Sequence, residues 1–296
     1  MTNNIQFSSV CGIDIAKSVM QVYKVTSDGV VSNKAVKRAD FLNEFRNIPP
    51  ALIGMEACGG SQHWARELQS LGHTVRLMPP KLVKPYVTGL KNDKNDARGI
   101  YKALEMSVRE VPVKSAAIRD LALLQTMRTK RQREKVAKIN HIRGILTEYG
   151  LVMGKSINAF LAKAGSLIVQ LKERADVSPY IVSELTALFR EVKEAMEKIK
   201  ELETNIDSIA KTLKQYDLFR SAPGVGPITA ATMLVLLCNP EVFKNGREFA
   251  AYIGLAPKSS GSGGKNFVTH IPKKCECNND VRALLVQCAH SICRCK

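Results

Sequence analysis

The sequence predicts an α/β domain with a mixed sheet, then a long helical segment, then a mainly helical C-terminal unit. Strand and helix signals alternate over residues 10–110, as they do where helices pack on a partly parallel sheet. Two later stretches, 115–150 and 178–213, repeat apolar residues every three or four positions, which indicates long amphipathic helices. Short helices separated by glycine turns follow. We therefore expect three domains, at 1–110, 111–214 and 215–296.

The α/β domain is predicted from a series of short apolar segments. The run "SVCGIDIAKSVMQVYKVT" is β-branched and apolar, with one acid inside it. The dipeptide Asp28-Gly29 then predicts a turn into "GVVSNKAVK", and so a hairpin. "ALIGMEACG" predicts a third or fourth strand and "HTVRLMP" another, and "SQHWARELQSLG" predicts a helix that ends at Gly72.

The first long helix, at 115–150, has an unusually basic middle. Its apolar stripe begins at Ile118 and resumes at Val136. Its middle, 128–143, carries seven basic residues and a single acid, Glu134. We consider these side chains candidates for holding a nucleic-acid backbone: Arg128, Lys130, Arg131, Arg133, Lys135, Lys138 and Arg143.

The second long helix, at 178–213, has a clear start and a regular apolar stripe. Ser178 is placed to cap it, and Pro179 suits the first turn. The apolar spacing alternates between three and four over some five heptads, which is typical of a coiled coil. Such a helix would be roughly 50 Å long. It would form either a hairpin within the chain or an arm for dimerisation, and the two are compatible.

The net charge points to an anionic partner. Lysine and arginine exceed aspartate and glutamate by 44 − 27 = 17, which favours nucleic acid. The rival, a membrane surface, is weakened because the longest apolar run, 228–238, is shorter than the roughly 20 residues of a spanning helix. The N-terminus shows no basic stretch followed by an apolar core, so we expect a cytoplasmic protein without a secretory signal.

The cysteines fall into two groups. Cys11, Cys58 and Cys238 lie in apolar segments and are expected to pack as small core residues. The other five crowd the C-terminal end, and four of them form two C-x-C pairs, which differ from the C-x₂-C knuckles usual in structural zinc sites. Solvated or helix-packed thiols are the simpler interpretation and zinc is the alternative, for Cys275, Cys277, Cys288, Cys293 and Cys295.

Four carboxylates stand in unusual places. Asp14 and Glu56 each interrupt a strand that otherwise looks buried, where an unpaired charge is costly. Asp93 and Asp96, in "KNDKNDA", are three apart and share one helix face. If all four converge at one edge of the sheet, lysines or a cation must neutralise them. Carboxylate oxygens suit Mg²⁺, with Mn²⁺ as an alternative, and two such ions can clamp a phosphodiester.

Each of these carboxylates also has a simpler interpretation. Asp14 could lie at a strand end and accept backbone amides, and an Asp-x-x-Asp pair on a helix is commonly solvated.

Two glycine-rich segments are further candidates. In "PGVGPITAA", Gly224 and Gly226 would let backbone amides approach a DNA phosphate, as in a helix-hairpin-helix; a plain turn between packed helices is the alternative. In "KSSGSGGK", the composition suggests a flexible linker. The alternative there is a serine nucleophile, with Lys265 stabilising the charge that develops.

In combination and order, these segments resemble one family. "GIDIAKS", "GMEACGG", "KNDKNDA", "PGVGPITA", "AAYIGLAP" and "SGSGGK" together resemble the transposases of the insertion sequence 110 family, relatives of the Piv DNA invertases. The resemblance extends from about Cys11 to about Gln287. It implies a RuvC-like (RNase H-like) domain, a coiled coil and a C-terminal transposase domain. The segment "PKKCECNND" departs from the family, which has a glycine-containing, lysine-rich turn there.

The resemblance also implies roles for particular residues. Asp14, Glu56, Asp93 and Asp96 match the family's metal-binding carboxylates. The family's nucleophilic serine, which forms a covalent link to DNA, is best matched by Ser262, with Ser260 as runner-up. The implied reaction cuts and rejoins DNA strands of a donor and a target. The implied partners are a structured guide RNA and further copies of the chain, as a dimer or tetramer acting at the bacterial nucleoid.

Three other functions would account for part of these features. A RuvC-like, structure-selective DNA nuclease would use the carboxylates without a serine step. A sugar or acyl kinase of the actin-like fold shares a segment like "GIDIAKS", but it needs a second phosphate loop that the sequence lacks. An architectural DNA-binding protein would need none of the carboxylates.

Overall fold

The computed structural model describes residues 7–90, 92–257, 259–262, 265–268 and 279–294. The strands are β1 (Ser9–Ile15), β2 (Val19–Thr26), β3 (Val31–Lys37), β4 (Leu52–Glu56), β5 (Thr74–Met78), β6 (Ser259–Ser262) and β7 (Lys265–Val268). The helices are α1 (Asn43–Arg46), α2 (Ser61–Ser70), α3 (Pro80–Val83), α4 (Asp93–Glu105), α5 (Ala116–Glu148), α6 (Ile157–Lys172), α7 (Pro179–Lys211), α8 (Tyr216–Arg220), α9 (Pro227–Leu236), α10 (Gly246–Tyr252) and α11 (Asn279–Arg294). Short 3₁₀ turns lie at Lys84–Tyr86 and Pro240–Val242.

The chain divides into two compact units. The first contains the described residues up to Ser115 together with Cys238–Lys244, and the second contains Ala116–Leu237 and the described residues from Asn245 onward. The expected domain boundaries at residues 110 and 214 remain predictions.

The first unit is built on the predicted mixed sheet. Within the described residues its five strands lie in the order β3-β2-β1-β4-β5. The first three are antiparallel, whereas β4 runs parallel to β1 and β5 parallel to β4. The apolar run at 9–26 holds two strands, β1 and β2, so "ALIGMEACG" contains the fourth. An unbroken strand of that length would be unusual, since most strands have 3–10 residues.

Helix α4 lies directly against β1 because Gly12 has no side chain. A Cβ atom at Gly12 would lie 2.3 Å from the Ala97 carbonyl oxygen and 2.4 Å from the Tyr101 amide nitrogen. The rings of Tyr23 and Tyr101 also pack, with centroids 5.1 Å apart. The close approach brings the helix that carries Asp93 and Asp96 onto the strand that carries Asp14.

The second unit is organised around α5 and α7. The ion pairs Arg128–Glu203 and Lys138–Glu191 run in opposite sequence directions along the two helices, which are therefore antiparallel. Their shared apolar core includes Ile142, Leu185 and Val192, with Phe160 of α6. Ser178 caps α7 by accepting from the Tyr180 amide, as predicted. Helix α6 was not predicted from the sequence.

The C-terminal part of this unit contains two turns that bear on the predictions. Gly224 has a φ of +75°, and a Cβ there would lie 2.6 Å from the Cys288 carbonyl oxygen of α11. Residues 259–262 and 265–268 form an antiparallel hairpin in which Ser262 pairs with Lys265 and Ser260 with Phe267. The linker interpretation of "KSSGSGGK" is therefore wrong for these strands. Within the described part of the chain, no helix is long and apolar enough to cross a membrane.

Candidate active site

Asp14 and Glu56 lie at corresponding positions of two neighbouring strands. Asp14 is the last residue but one of β1, and Glu56 ends β4. The strands are parallel, with Ile13 in register with Met55. Parallel strands that end together place their last side chains at one edge of the sheet, so these two acids are neighbours as the sequence analysis predicted.

Asp93 and Asp96 occupy the first turn of α4. Asn92 caps this helix: its side-chain oxygen accepts from the Asn95 amide at 2.9 Å. The Asn95 side chain in turn donates to the Leu90 carbonyl at 2.7 Å. The first turn is a favourable place for negative charge because its amides are unpaired and the helix dipole is positive there. The sequence analysis missed both asparagines, although an asparagine just before a helix is a recognised start signal.

The structure brings three of the four predicted ligands together. Carboxylate oxygens of Asp14, Asp93 and Asp96 all lie within 4.8 Å of one another. Glu56 is outside this group, but the charges of Asp14 and Asp96 act on it. The role of all four as metal ligands remains a prediction.

The electrostatics of the cluster favour a cation. Burial, followed by the charges of Asp96 and Asp93, raises the pKa of the Asp14 carboxyl above its ordinary value. Burial, followed by Asp14 and Asp96, likewise raises the pKa of Glu56. Among the residues that the structure describes, none of the four acids forms an ion pair with lysine, arginine or histidine. Oxygen ligands at this spacing, without a basic partner, fit a hard divalent ion.

Without a divalent ion, we expect Asp14→Asn to stabilise the protein above mildly acidic pH. A carboxyl whose folded pKa is raised holds its proton longer in the folded than in the unfolded state, whose aspartate pKa is about 3.9. Its cost to stability is absent below that unfolded pKa and grows as the pH rises through the raised folded value. At pH 7.5 in EDTA, the variant should therefore melt at a higher temperature than wild type.

This result needs two comparisons. Asp40→Asn, at an exposed aspartate of the same unit, should leave the melting temperature unchanged. Millimolar Mn²⁺ should raise the melting temperature of wild type and not that of Asp14→Asn, because a ligand stabilises only the fold that binds it. An Asp14→Asn protein that melts at or below the wild-type temperature in EDTA would contradict the electrostatic account.

The predicted nucleic-acid residues on α5 are largely engaged in ion pairs within the second unit. Arg128 binds Glu203, Lys138 binds Glu191, and Arg133 donates two hydrogen bonds of 2.9 Å to Asp280. Lys135 is buried between the helices, and burial lowers its pKa. Lys130, 3.9 Å from Glu134, and Arg131 are exposed. Fewer positive charges are thus available to phosphates than the sequence suggests, and the role of this segment remains a prediction.

The remaining predicted residues lie in the second unit. The space beside Gly224 is filled by α11, whereas the space beside Gly226 is open. Ser260, Ser262 and Lys265 lie in the β6–β7 hairpin, and their roles stay predictions. Cys275, Cys277 and Cys295, which belong to the zinc alternative, lie outside the described residues.

Comparison with known proteins covers both units. The sequence model of the IS116/IS110/IS902 transposase family matches residues 216–296, and the DEDD transposase model of IS110 matches residues 11–151. The latter match implies a RuvC-like fold, in agreement with the mixed sheet.

Three transposases resemble most of the chain. A Pseudomonas aeruginosa protein named "Probable family 20 transposase" is 35% identical over 96% of this chain and 84% of its own length. The transposase for insertion sequence element IS1111A of Coxiella burnetii is 32% identical over 96% of this chain and 78% of its own length. The transposase for insertion sequence element IS1328 of Yersinia enterocolitica is 29% identical over 95% of this chain and 83% of its own length. The chain therefore belongs to the IS110 family of insertion-sequence transposases, which are DNA recombination enzymes.

Proposed function

We propose that this transposase cuts and rejoins DNA strands through a metal-assisted serine nucleophile, guided by an RNA that its element encodes. The observation that carries the proposal is the juxtaposition of Asp14, Asp93 and Asp96 within 4.8 Å. In a chain with a net charge of +17, a carboxylate cluster without basic partners among the described residues is best accounted for by a cation.

Asp14, Asp93 and Asp96 would hold a divalent ion, Mg²⁺ in the cell, with Glu56 completing the oxygen ligands. When bound, such an ion neutralises phosphate charge and polarises the reacting oxygens. The protein's own contribution is to hold three carboxylates together on two elements, β1 and the first turn of α4. Because their mutual repulsion is already present in the folded chain, ion binding relieves it.

Ser262 would be the nucleophile. Its oxygen attacks the phosphorus as its proton passes to a base. The Ser262–phosphorus bond forms as the bond to one neighbouring nucleotide oxygen breaks, and that oxygen takes up a proton as it leaves. A second DNA end would reverse the same exchange and release the serine. The pairing of Ser262 with Lys265 across the β6–β7 hairpin supports this assignment over Ser260, because a lysine there can stabilise the charge that develops on the phosphate.

Nucleic acid would be held by the remaining positive charge. On α5 we assign this role to the exposed Lys130 and Arg131 first, and to the paired Arg128, Arg133 and Lys138 only where phosphate displaces their acids. Lys135 would act by shaping the surface between the helices. We further propose that the turn at Gly226 and the start of α9 form a helix-hairpin-helix contact to DNA phosphates.

The α5–α7 pair would serve as a coiled-coil arm for assembly. Several DNA strands must be processed together, so at least two copies of the chain are required, as a dimer or tetramer. The complex would act in the cytoplasm, at the bacterial nucleoid.

The proposal of a guide RNA is tested by identifying the nucleic acid that co-purifies with the protein. When expressed with the DNA that flanks its gene, the protein should retain a discrete RNA of defined length that survives DNase and is removed by RNase. Sequencing should place this RNA in the flanking region. A mixture of unrelated cellular RNAs, or none, would contradict the guided mechanism and favour a plain DNA nuclease or an architectural protein.

A further inference from the structure

We propose that Asn33, held in place by Gln21, is a positioning residue for the carboxylate site. It ties the first turn of α4 to the sheet, so that Asp93 and Asp96 stay in place opposite Asp14. This inference rests on the metal site of the proposed function.

A chain of two hydrogen bonds links the sheet to the helix. The Gln21 side-chain amide donates to the Asn33 side-chain oxygen at 2.7 Å. The Asn33 side-chain amide donates to the backbone carbonyl of Lys94 at 3.1 Å. Lys94 lies between the two acids in the sequence, so its carbonyl belongs to the same helical turn as Asp93 and Asp96.

The register of the sheet explains why these residues meet. Gln21 on β2 is paired with Asp14 on β1, and Asn33 on β3 is paired with Tyr23, the partner of Gly12. Residues two apart on a strand share a face. Both amides therefore lie on the face of the sheet that α4 covers, beside the carboxylate that the proposed ion would bind.

The rest of α4 is held in a different way. Gly12 and the Tyr23–Tyr101 ring contact fix the helix from Ala97 onward. In the first turn, Asp93 and Lys94 are exposed, and helix ends fray where packing is absent. Within the described residues, the Asn33 bond is the side-chain hydrogen bond that joins this turn to the sheet. Small movements of ligand oxygens weaken a metal site, and residues that orient ligands typically matter 10–100-fold for metal affinity.

The experiment is a titration of the full-length protein, free of nucleic acid, with Mn²⁺ alone, following free Mn²⁺ by electron paramagnetic resonance. Asn33→Leu keeps the side-chain size and removes the link, and should weaken Mn²⁺ binding about tenfold or more. It leaves the Gln21 amide without its partner. The double variant Gln21→Leu/Asn33→Leu removes both partners, which typically costs little stability, and should show the same weakening. Ser32→Ala is the matched control, because Ser32 neighbours Asn33 on β3 and lies on the other face of the sheet.

The readouts separate positioning from mere folding. A positioning role predicts weaker Mn²⁺ binding in both variants. It also predicts that the double variant, measured without metal, melts at a temperature close to that of wild type. Mn²⁺ affinity within about twofold of wild type in the double variant would overturn the inference, since replacement of outer ligand partners normally costs more than that. If wild type itself fails to bind Mn²⁺, the proposed metal site is wrong, and so is this inference. If wild type and both variants bind Mn²⁺ equally well, only this inference is wrong.

Discussion

Asp14→Asn is expected to lower the rate of DNA strand cleavage by about 10³-fold or more, which corresponds to roughly 4 kcal/mol of transition-state stabilisation. Asp14 is the one member of the three-carboxylate cluster that comes from the sheet, so its loss leaves only the two carboxylates of α4, which are too few to hold the ion. Binding of the same DNA should change little, because the variant keeps every positive charge. The measurement is single-turnover cleavage of end-labelled DNA from the element's ends, with a gel-shift titration in parallel.

Two further variants of this protein show whether the effect is specific to the metal site. Asp40→Asn, at an exposed aspartate of the same unit, should cleave like wild type. Asp96→Cys should be inactive in Mg²⁺ and recover part of its activity in Mn²⁺, since a thiolate is a poor ligand for the harder ion. If Asp14→Asn cleaves DNA at a rate within about threefold of wild type, the activation free energy has changed by less than about 1 kcal/mol. That result would contradict the metal mechanism.

Ser262→Ala is expected to abolish strand transfer, with a loss of about 10⁴-fold or more, because nothing else can form the covalent bond to phosphorus. The covalent protein–DNA adduct, seen as a labelled band that resists denaturation, should disappear. Mn²⁺ binding and DNA binding should remain, since neither requires a hydroxyl at this position.

Ser260→Ala is the natural partner of that experiment. It removes the same hydroxyl from the same strand, β6, two residues away, and should keep both the adduct and strand transfer. The reverse outcome, with Ser260→Ala inactive and Ser262→Ala active, would move the nucleophile by two residues and leave the mechanism intact. Full DNA cleavage by both variants, without a covalent adduct in either variant or in wild type, would instead favour the RuvC-like nuclease that has no serine step.

Much of the secondary structure follows from local pattern. The stripe of α7, with Ser178 at its cap and Pro179 in its first turn, predicts that helix to within two residues. The apolar runs of β4 and β5 predict those two strands, and the spacing of Asp93 and Asp96 predicts a shared helix face. These succeed because caps, turns and hydrophobic periods act between residues close in sequence.

The site was only partly predictable, because its members are far apart in the sequence. The sequence shows that Asp14 and Glu56 are unusual acids within apolar strands. The resemblance to the transposase family then pointed to all four carboxylates as one set. Which of the four meet was not visible. Asp14, Asp93 and Asp96 come within 4.8 Å because Gly12 admits the backbone of α4, and that contact spans some eighty residues of chain.

By itself, then, the sequence determined the mixed α/β unit, the long helices, the excess of positive charge and the identity of the carboxylates. The tertiary structure alone decided which charges are free. In the sequence, the basic residues of α5 all look available to a partner. In the structure, Arg128, Arg133 and Lys138 are paired with acids that are distant in the chain, by as many as 147 residues. Likewise, Asn33 meets Lys94 only because the sheet and α4 pack. Ion pairs and hydrogen bonds depend on distances in space, and periodicity in sequence carries no information about them.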